Sequence, residues 1–583
     1  MYRSRPFRLC YALREAFHEG YGLRQLRADV LAGLVVGVVA LPLSMALAIA
    51  SGAPPQHGLY TAIVAGGVCA LLGGSRVLVS GPTAAFVVIL APISARFGLA
   101  GLVLASALAG LILIGLGLLR LGRLIQFVPY PVTTGFTAGI GLVIASLQLK
   151  DFLGLTPAAL SGEAMWHERM LALARALPSL AWPDLVAGVA TLLVLMGWRR
   201  VRTSIPAPLV ALAFGAVVAL LLERFAGVAP ATLATRFGTP DVPSGIPGSP
   251  PLFVLPWHLP GPGGAGATLS LAYIESLLPS AFAIAMLGAI ESLLAAVVAD
   301  GMTGQRHQPD VELTALGIAN VAASFFGGFA ATGAIARSAT NVRSGGRSPI
   351  ASLVHSAFVL CSVLALAPLL GHLPMASLAA LLLIVAWNMS EARHVVQVVR
   401  TAPYSDVAVL LCCFLLTVVF DMTIAVTAGV LLAALLFMRR MAEISGAELI
   451  GPQHPEHGRD LPHGVVVYDI GGPLFFGAAH KATSQLFSFD RRDVRVVLLD
   501  LEDVPAMDAT GIVNLRSAID RLKSGGISTL LVGLQPQPLE ALAKARLIGP
   551  GGVEHHETYE LGLEAARARV SSLGALAKAA GAS

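Results

Sequence analysis

The sequence predicts a polytopic α-helical membrane protein of about fourteen segments in two inverted seven-segment repeats, followed by a small cytoplasmic α/β domain. Three observations carry that reading. Charged residues make up only 13% of the 583 residues and hydrophobic residues 56%, with a mean hydropathy of +0.76. Apolar runs of membrane-spanning character recur between residues 28 and 438. Beyond Arg440 the composition shifts, and residues 464–575 regain charges and lose long apolar runs.

A soluble domain carries roughly 25% charged residues, so a soluble chain with this deficit cannot cover its own surface with polar groups. A simple soluble enzyme, a disordered tail protein and a fibre are excluded on that ground. The net charge of +5 reads as excess arginine on the cytoplasmic side of membrane spans, and no nucleic-acid partner is expected. The five cysteines have no CxxC spacing, so neither a disulfide framework nor a metal site is expected. No Ser/His/Asp, metal-ligand or nucleotide-loop constellation is found, so neither an enzyme nor a cofactor is expected.

Taken in order, residues 1–27 carry Arg3, Arg5, Arg8, Arg14, Arg24 and Arg27 and read as a cytoplasmic segment. The apolar run Val30–Ala50 exceeds the 7–15 residues of a signal-peptide core, which favours a retained span. The small residues after it leave a cleavage site open. The first repeat, 28–222, holds candidate segments at 28–50, 58–73, 80–95, 99–119, 124–147, 182–198 and 207–222. A Pro/Gly-rich extracytoplasmic loop occupies 223–272. The second repeat, 273–440, holds 273–299, 311–328, 333–344, 349–370, 374–389, 404–420 and 422–438. An even count returns both termini to one side. Arg120, Arg123, Arg199, Arg200, Arg202, Arg306, Arg343, Arg347, Arg393, Arg400, Arg439 and Arg440 fall on the N-terminal side, so the positive-inside rule places both termini in the cytoplasm.

Residues 441–463 form a linker with prolines and histidines. In 464–575, Val465–Tyr468, Val494–Leu499 and Thr529–Val532 read as buried strands, and Ile512–Leu522 as a helix. Residues 576–583 are a tail.

An odd number of segments per repeat inverts the second repeat relative to the first. Each repeat has a short, glycine-interrupted third segment, one starting Ser80-Gly81-Pro82-Thr83 and the other Thr332-Gly333-Ala334-Ile335. Such pairs point to a transporter site. A half-helix starting inside the membrane offers unpaired N–H groups and a positive dipole end, which together make an anion site. The candidate binding residues are the two starts, Thr83, Ala84, Ala85 and Phe86, and Gly333, Ala334, Ile335, Ala336, Arg337 and Ser338. Two readings stand for Arg337: an anion contact, or a structural cation that snorkels to the interface or pairs. The Thr83 and Ser338 hydroxyls can serve a bound carboxylate or carbonyls of their own helices.

Glu291 lies mid-span with no lysine or arginine nearby in sequence. It reads as a coupling group or as a structural acid. Its same-face neighbours Leu287, Gly288, Leu294 and Ala295 offer no side-chain oxygen, which favours a proton over sodium as the coupled ion. Pro42, with Leu43 beside it, marks either a bend near the pocket or a plain kink. His355 and His372 read as loop or interface residues.

The segment Ala331–Asn341 resembles the tenth-helix motif of the SulP anion transporters, and Ser80–Thr83 resembles their third-helix motif; Gly58-Leu59-Tyr60 also matches. The resemblance implies a core and a gate domain, elevator-type alternating access, a homodimer in a bacterial inner membrane, and carriage of sulfate, bicarbonate or dicarboxylates. It also implies that Thr83, Ala334, Ile335 and Arg337 line the anion site and that Glu291 is the coupling acid. Leu41–Leu47, Ser80–Leu90, Ala285–Ala295 and Leu381–Glu391 resemble the aerobic dicarboxylic acid transporters of the family. Many sulfate permeases have Gln where this chain has Leu43, and sodium-coupled bicarbonate carriers have hydroxyls where it has Ala295 and Ile335. Proton-coupled uptake of succinate, fumarate or aspartate is therefore the expectation. Sulfate or bicarbonate exchange, a channel and a membrane-anchored signalling protein are the alternatives.

The run Asp500–Gly511 resembles the strand-to-helix signature of STAS domains. Related domains are phosphorylated on a hydroxyl in this turn, where Thr510 stands two residues after Asp508. A phosphate suits a helix start, but the favoured reading of Thr510 is an ordinary N-cap.

Overall fold

The computed structural model describes residues 8–122, 129–158, 165–198, 200–201, 203, 205–262, 264, 266–420, 422–444, 446–450, 461–475 and 493–580. Arg3, Arg5, Arg123, Arg199 and Arg202, and residues 451–460 of the linker, lie outside them. The chain divides into two compact units, residues 1–431 and 432–583.

The first unit is helical. A short amphipathic helix α1 (Tyr11–His18) precedes α2 (Leu23–Ala50), α3 (Pro55–Leu72) and the long α4 (Ala84–Leu118). There follow α5 (Tyr130–Phe152), α6 (Trp166–Arg175), α7 (Trp182–Trp198), α8 (Ala207–Leu221) and the single-turn α9 (Leu233–Phe237). The second half holds α10 (Leu271–Thr303), α11 (Pro309–Ser324), α12 (Ile335–Arg343), α13 (Pro349–Leu370), α14 (Met375–Ser390), α15 (Ala392–Thr401) and α16 (Tyr404–Val419), and α17 (Met422–Ile444) runs across the division between the units. Among the described residues, eight helices are long and apolar enough to cross a membrane, and α7 and α16 are shorter apolar helices.

Two predicted segments, 80–95 and 99–119, are the arms of α4, which bends at Gly98 (φ 66°, ψ −170°). A Cβ at Gly98 would lie 2.7 Å from the Gly261 carbonyl carbon. The bend therefore needs glycine both for its left-handed φ and for the close approach of the 261–262 loop. Helix α2, by contrast, continues through Pro42.

The helices form two bundles. In one, α4 packs on α10 and α11, α3 on α11 and α13, and α2 on α13. In the other, α5 packs on α14 and α16, and α7 packs on α8 and α14. Each half of the unit supplies helices to both bundles. At the centre of the first bundle, strand β1 (Ser80–Gly81) pairs antiparallel with β2 (Thr332–Gly333), with Ser80 opposite Gly333. Both strands precede a helix, so the antiparallel pairing carries the inversion between the repeats.

The second unit is α/β. Its sheet order is β3 (Gly446–Ile450), β4 (Val465–Gly471), β5 (Val496–Asp500), β6 (Ser528–Val532) and β7 (Glu554–His556), antiparallel between β3 and β4 and parallel thereafter. Its helices are α18 (Ala509–Ser524), α19 (Pro536–Lys544) and α20 (Tyr559–Ala580). Alternate strand residues serve two cores. Val466, Tyr468, Val497 and Leu499 pack with Leu515 and Ile519 of α18, while Val465, Val467, Val496 and Leu498 pack with Ala566 of α20. Burial on both faces explains why these strands read as continuous apolar runs.

Candidate functional site

Helices α4 and α12 both begin in mid-bundle, directly after the β1–β2 pair. Non-helical backbone at such depth must find partners inside the protein. Asn320 of α11 serves Ala331 twice: its amide accepts from the Ala331 N–H at 2.7 Å and donates to the Ala331 carbonyl at 3.1 Å. Thr61 accepts from the Phe329 N–H at 2.9 Å, and Thr332 donates to the Gly288 carbonyl at 3.0 Å. On the other crossing strand, Asn341 donates to Val77 O, Ser352 donates to Leu78 O, and the Ala334 N–H donates to Val79 O. The polar residues of these otherwise apolar helices thus hold open a break that hydrocarbon alone would not tolerate.

A cavity of about 270 Å³ lies against the two helix starts. Pro82, Thr83, Ala84 and Ala85 line it from α4, and Ala334, Ile335, Ala336 and Arg337 from α12. Leu43 and Leu47 of α2 and Leu287, Ile290, Glu291 and Leu294 of α10 complete that side. Phe136 and Thr137 of α5, with Val385, Asn388, Met389 and Glu391 at the end of α14, face them from the second bundle.

Arg337 is only 3% exposed. Its Nη2 donates to the Pro82 carbonyl at 2.5 Å, while Nε and Nη1 are buried with no hydrogen-bond partner among the described residues. The guanidinium packs against Gly81, where a Cβ would stand 2.7 Å from Nη1. Gly81 is required for this contact. A buried guanidinium with two unpaired donors in the lining of a cavity is a candidate contact for an anion, since arginine donors suit oxyanions. Thr83 donates to Glu291 Oε2 at 2.9 Å. Reading only the helix neighbours of Glu291 found no hydroxyl; the fold supplies one from 208 residues away.

Several candidate residues lie elsewhere. Phe86 is buried beneath Gly288, outside the cavity lining. Gly333 belongs to the strand pair, and the Ser338 hydroxyl accepts from the Val79 N–H at 2.9 Å, away from the cavity. Pro42 does not line the cavity, whereas Leu43 does. Ala295 is fully buried behind it, and Ile335 lines it. His355 is not a loop residue: it is fully buried in α13. His372 is exposed after α13, with Nδ1 3.0 Å from the Pro368 carbonyl. In the second unit Asp508, not Thr510, is the N-cap of α18, accepting from the Gly511 N–H at 2.8 Å. Thr510 lies one position inside the helix and is exposed. Near this turn, burial holds the Asp500 carboxyl above the usual carboxylate range.

Sequence reading missed the wall from the second bundle. Asn388 and Glu391, polar residues ending the apolar run Leu381–Glu391, were its one visible signal. Glu391 also has a left-handed backbone (φ 41°) at the joint between α14 and α15.

Residues 26–413 match the model of the sulfate permease family, and residues 460–549 match the STAS domain. The chain is 39% identical over 541 residues to the putative sulfate transporter YvdB of Bacillus subtilis (strain 168), covering 92% of this chain and 97% of that protein. It is 28% identical over 555 residues to the bicarbonate transporter BicA of Picosynechococcus, covering 90% and 91%. In fold it is similar to the solved structure of SLC26A9, with a TM-score of 0.80 at 18% identity, covering 97% and 98% of the two chains. The transmembrane domain of a cyanobacterial BicA aligns over 71% of this chain and 98% of its own, with a TM-score of 0.58 at 27% identity.

Proposed function

The chain belongs to the sulfate permease family of anion transporters, and from that premise we propose that it takes up a dicarboxylate such as succinate, fumarate or aspartate together with a proton. The observation that carries this reading is the division of the cavity. One end offers the Arg337 guanidinium, two of whose donors are unpaired among the described residues, and two helix starts, and the remaining wall is largely apolar, from Leu43, Leu47, Phe136, Val385 and Met389. A carboxylate suits the first, and the hydrocarbon link of a dicarboxylate suits the second. Roughly 270 Å³ is ample for a four-carbon dianion, and a bare tetrahedral or planar oxyanion leaves much of the apolar wall uncovered. Glu291, joined to Thr83 at the anion-binding end, is the proposed proton carrier.

In this reading the core bundle, with both half-helices, moves as a body past the bundle of α5, α7, α8, α14 and α16. The cavity lies between surfaces of these two bundles, so such a movement exposes it alternately by an elevator-type cycle. The same proposal places both termini in the cytoplasm, the chain in a bacterial inner membrane, and two copies in a homodimer.

A second reading, sulfate or bicarbonate exchange, is favoured by what the named relatives carry and uses the same helix starts. Uptake into proteoliposomes at fixed sodium separates the two. Labelled succinate, fumarate, aspartate, sulfate and bicarbonate are each offered with and without an inward proton gradient. Accumulation of a dicarboxylate that requires the gradient and is inhibited by fumarate is the expected result. Gradient-independent sulfate or bicarbonate flux, with no succinate uptake, would replace the first reading by the second.

A further inference from the structure

By length and hydropathy alone, Met375–Thr401 is one membrane span of 27 residues. A helix of that length runs roughly 40 Å, against about 30 Å for a hydrocarbon core. The helix is interrupted. Glu391 has a left-handed backbone (φ 41°, ψ 37°) and separates the 16 residues of α14 from the 10 of α15. The length of α14 accounts for most of the hydrocarbon depth, so α15 is the surplus at its end.

α15 is two-sided. Ala392, Val395, Val396 and Val399 recur at i, i+3, i+4 and i+7, and Arg393, Gln397 and Arg400 at i, i+4 and i+7. Protein packing uses little of this pattern. His394 touches Tyr130 of α5, yet none of the ten residues is buried. Val396 and Val399 are 48% and 41% exposed. Four valines give α15 a weak intrinsic helix propensity, and isolated helices shorter than about 12–15 residues are marginal in water. A covering surface on the valine face supplies the missing stabilisation.

The surroundings identify that surface as the bilayer. Trp387, in the last turn of α14, and Tyr404, the first residue of α16, are 65% and 96% exposed. Exposed rings where one apolar helix ends and the next begins mark the level of the membrane–water interface. Arg393 and Arg400 lie three residues before and four residues after Val396, on the border of the exposed valine face. Neither makes an ion pair among the described residues, and α15 contains no acid. The flanking acids are engaged elsewhere: Glu391 lines the cavity at the helix starts, and Asp406 accepts from the Ser405 hydroxyl at 3.1 Å.

We propose that α15 lies in the membrane–water interface, with its valine face among acyl chains and Arg393 and Arg400 against anionic phospholipid headgroups. An inserted apolar face and bordering cations both add to binding at such a surface. α15 joins α14 to α16, and both of these pack on α5, so it ties that bundle to one face of the bilayer. The anchor does not depend on which anion is transported.

The test is photocrosslinking of the full-length protein in nanodiscs of equal parts phosphatidylcholine and phosphatidylglycerol. p-Benzoylphenylalanine replaces Val396, Val399 or Gln397, one at a time, and the adducts are identified by mass. All three positions are exposed, so each variant keeps the packed interior. Lipid adducts are expected at least roughly fivefold more often from 396 and 399 than from 397. Phosphatidylglycerol adducts at 396 should exceed phosphatidylcholine adducts at least roughly threefold, and Arg393→Gln combined with Arg400→Gln should bring the two yields close to equal. Equal lipid labelling at the three positions would overturn the proposal, as would adducts from 396 and 399 to protein, whether the C-terminal unit or a second copy, in place of lipid. No headgroup preference in the parent, or a preference unchanged by the two arginine substitutions, would overturn the role given to Arg393 and Arg400.

Discussion

Arg337 and Glu291 line one cavity from helices α12 and α10, and each has a separable consequence. Arg337 brings a guanidinium to the cavity lining, so Arg337→Ala removes its charge and its donors together. The apparent affinity for the transported anion should fall at least roughly tenfold, since charge-assisted hydrogen bonds are worth about 1.5–3 kcal/mol. An unchanged KM in uptake assays would show that Arg337 does not touch the anion. Glu291→Gln keeps the shape and can still accept from Thr83, but it cannot take up and release a proton. Accumulation against a gradient should be lost, while exchange of internal for external anion persists at a rate within roughly fivefold of the original. Full retention of proton-driven accumulation would remove Glu291 from the coupling role.

At the scale of the element, the cavity depends on two helices that start in the wrong place for a membrane span. They are tolerated because Asn320, Thr61, Asn341 and Ser352 supply the hydrogen bonds that the missing helical turns would have made. The first of these helices must then bend to continue as α4, and Gly98 makes the bend. Gly98→Ala forces a Cβ into the 261–262 loop while holding a left-handed φ. We expect a loss of more than about 2 kcal/mol in stability, seen as a lower melting temperature in detergent. A melting temperature equal to the parent's would mean that the bend has another cause.

At the scale of the whole molecule, every residue lining the cavity at the two helix starts falls between Leu43 and Glu391, inside the first unit. The C-terminal unit has its own two-faced core. Deletion of residues 464–583 should therefore leave the KM for the transported anion within about twofold in molecules that remain folded, whatever it does to the maximal rate. A tenfold change in KM would show that the C-terminal unit shapes the anion site.

Some of this was legible in the chain alone because its signals are local. Membrane residence follows from a charge fraction of 13%, and helix positions such as 182–198 and 349–370 follow from unbroken apolar runs. The two glycine-interrupted starts at 83 and 334 follow from the failure of those runs. The α/β character of the C-terminal unit follows from strands buried on both faces. What the tertiary structure decided depends on residues far apart. Thr83 reaches Glu291 across 208 positions, Arg337 rests on Gly81, and α5 and α14 supply the facing wall of the cavity. It also turned Ser338 toward Val79, buried His355 in α13 and gave the N-cap of α18 to Asp508. The reason is physical: a helix's apolar period reports that it is buried, but the partner of a buried polar atom is chosen by packing, which a linear pattern does not record.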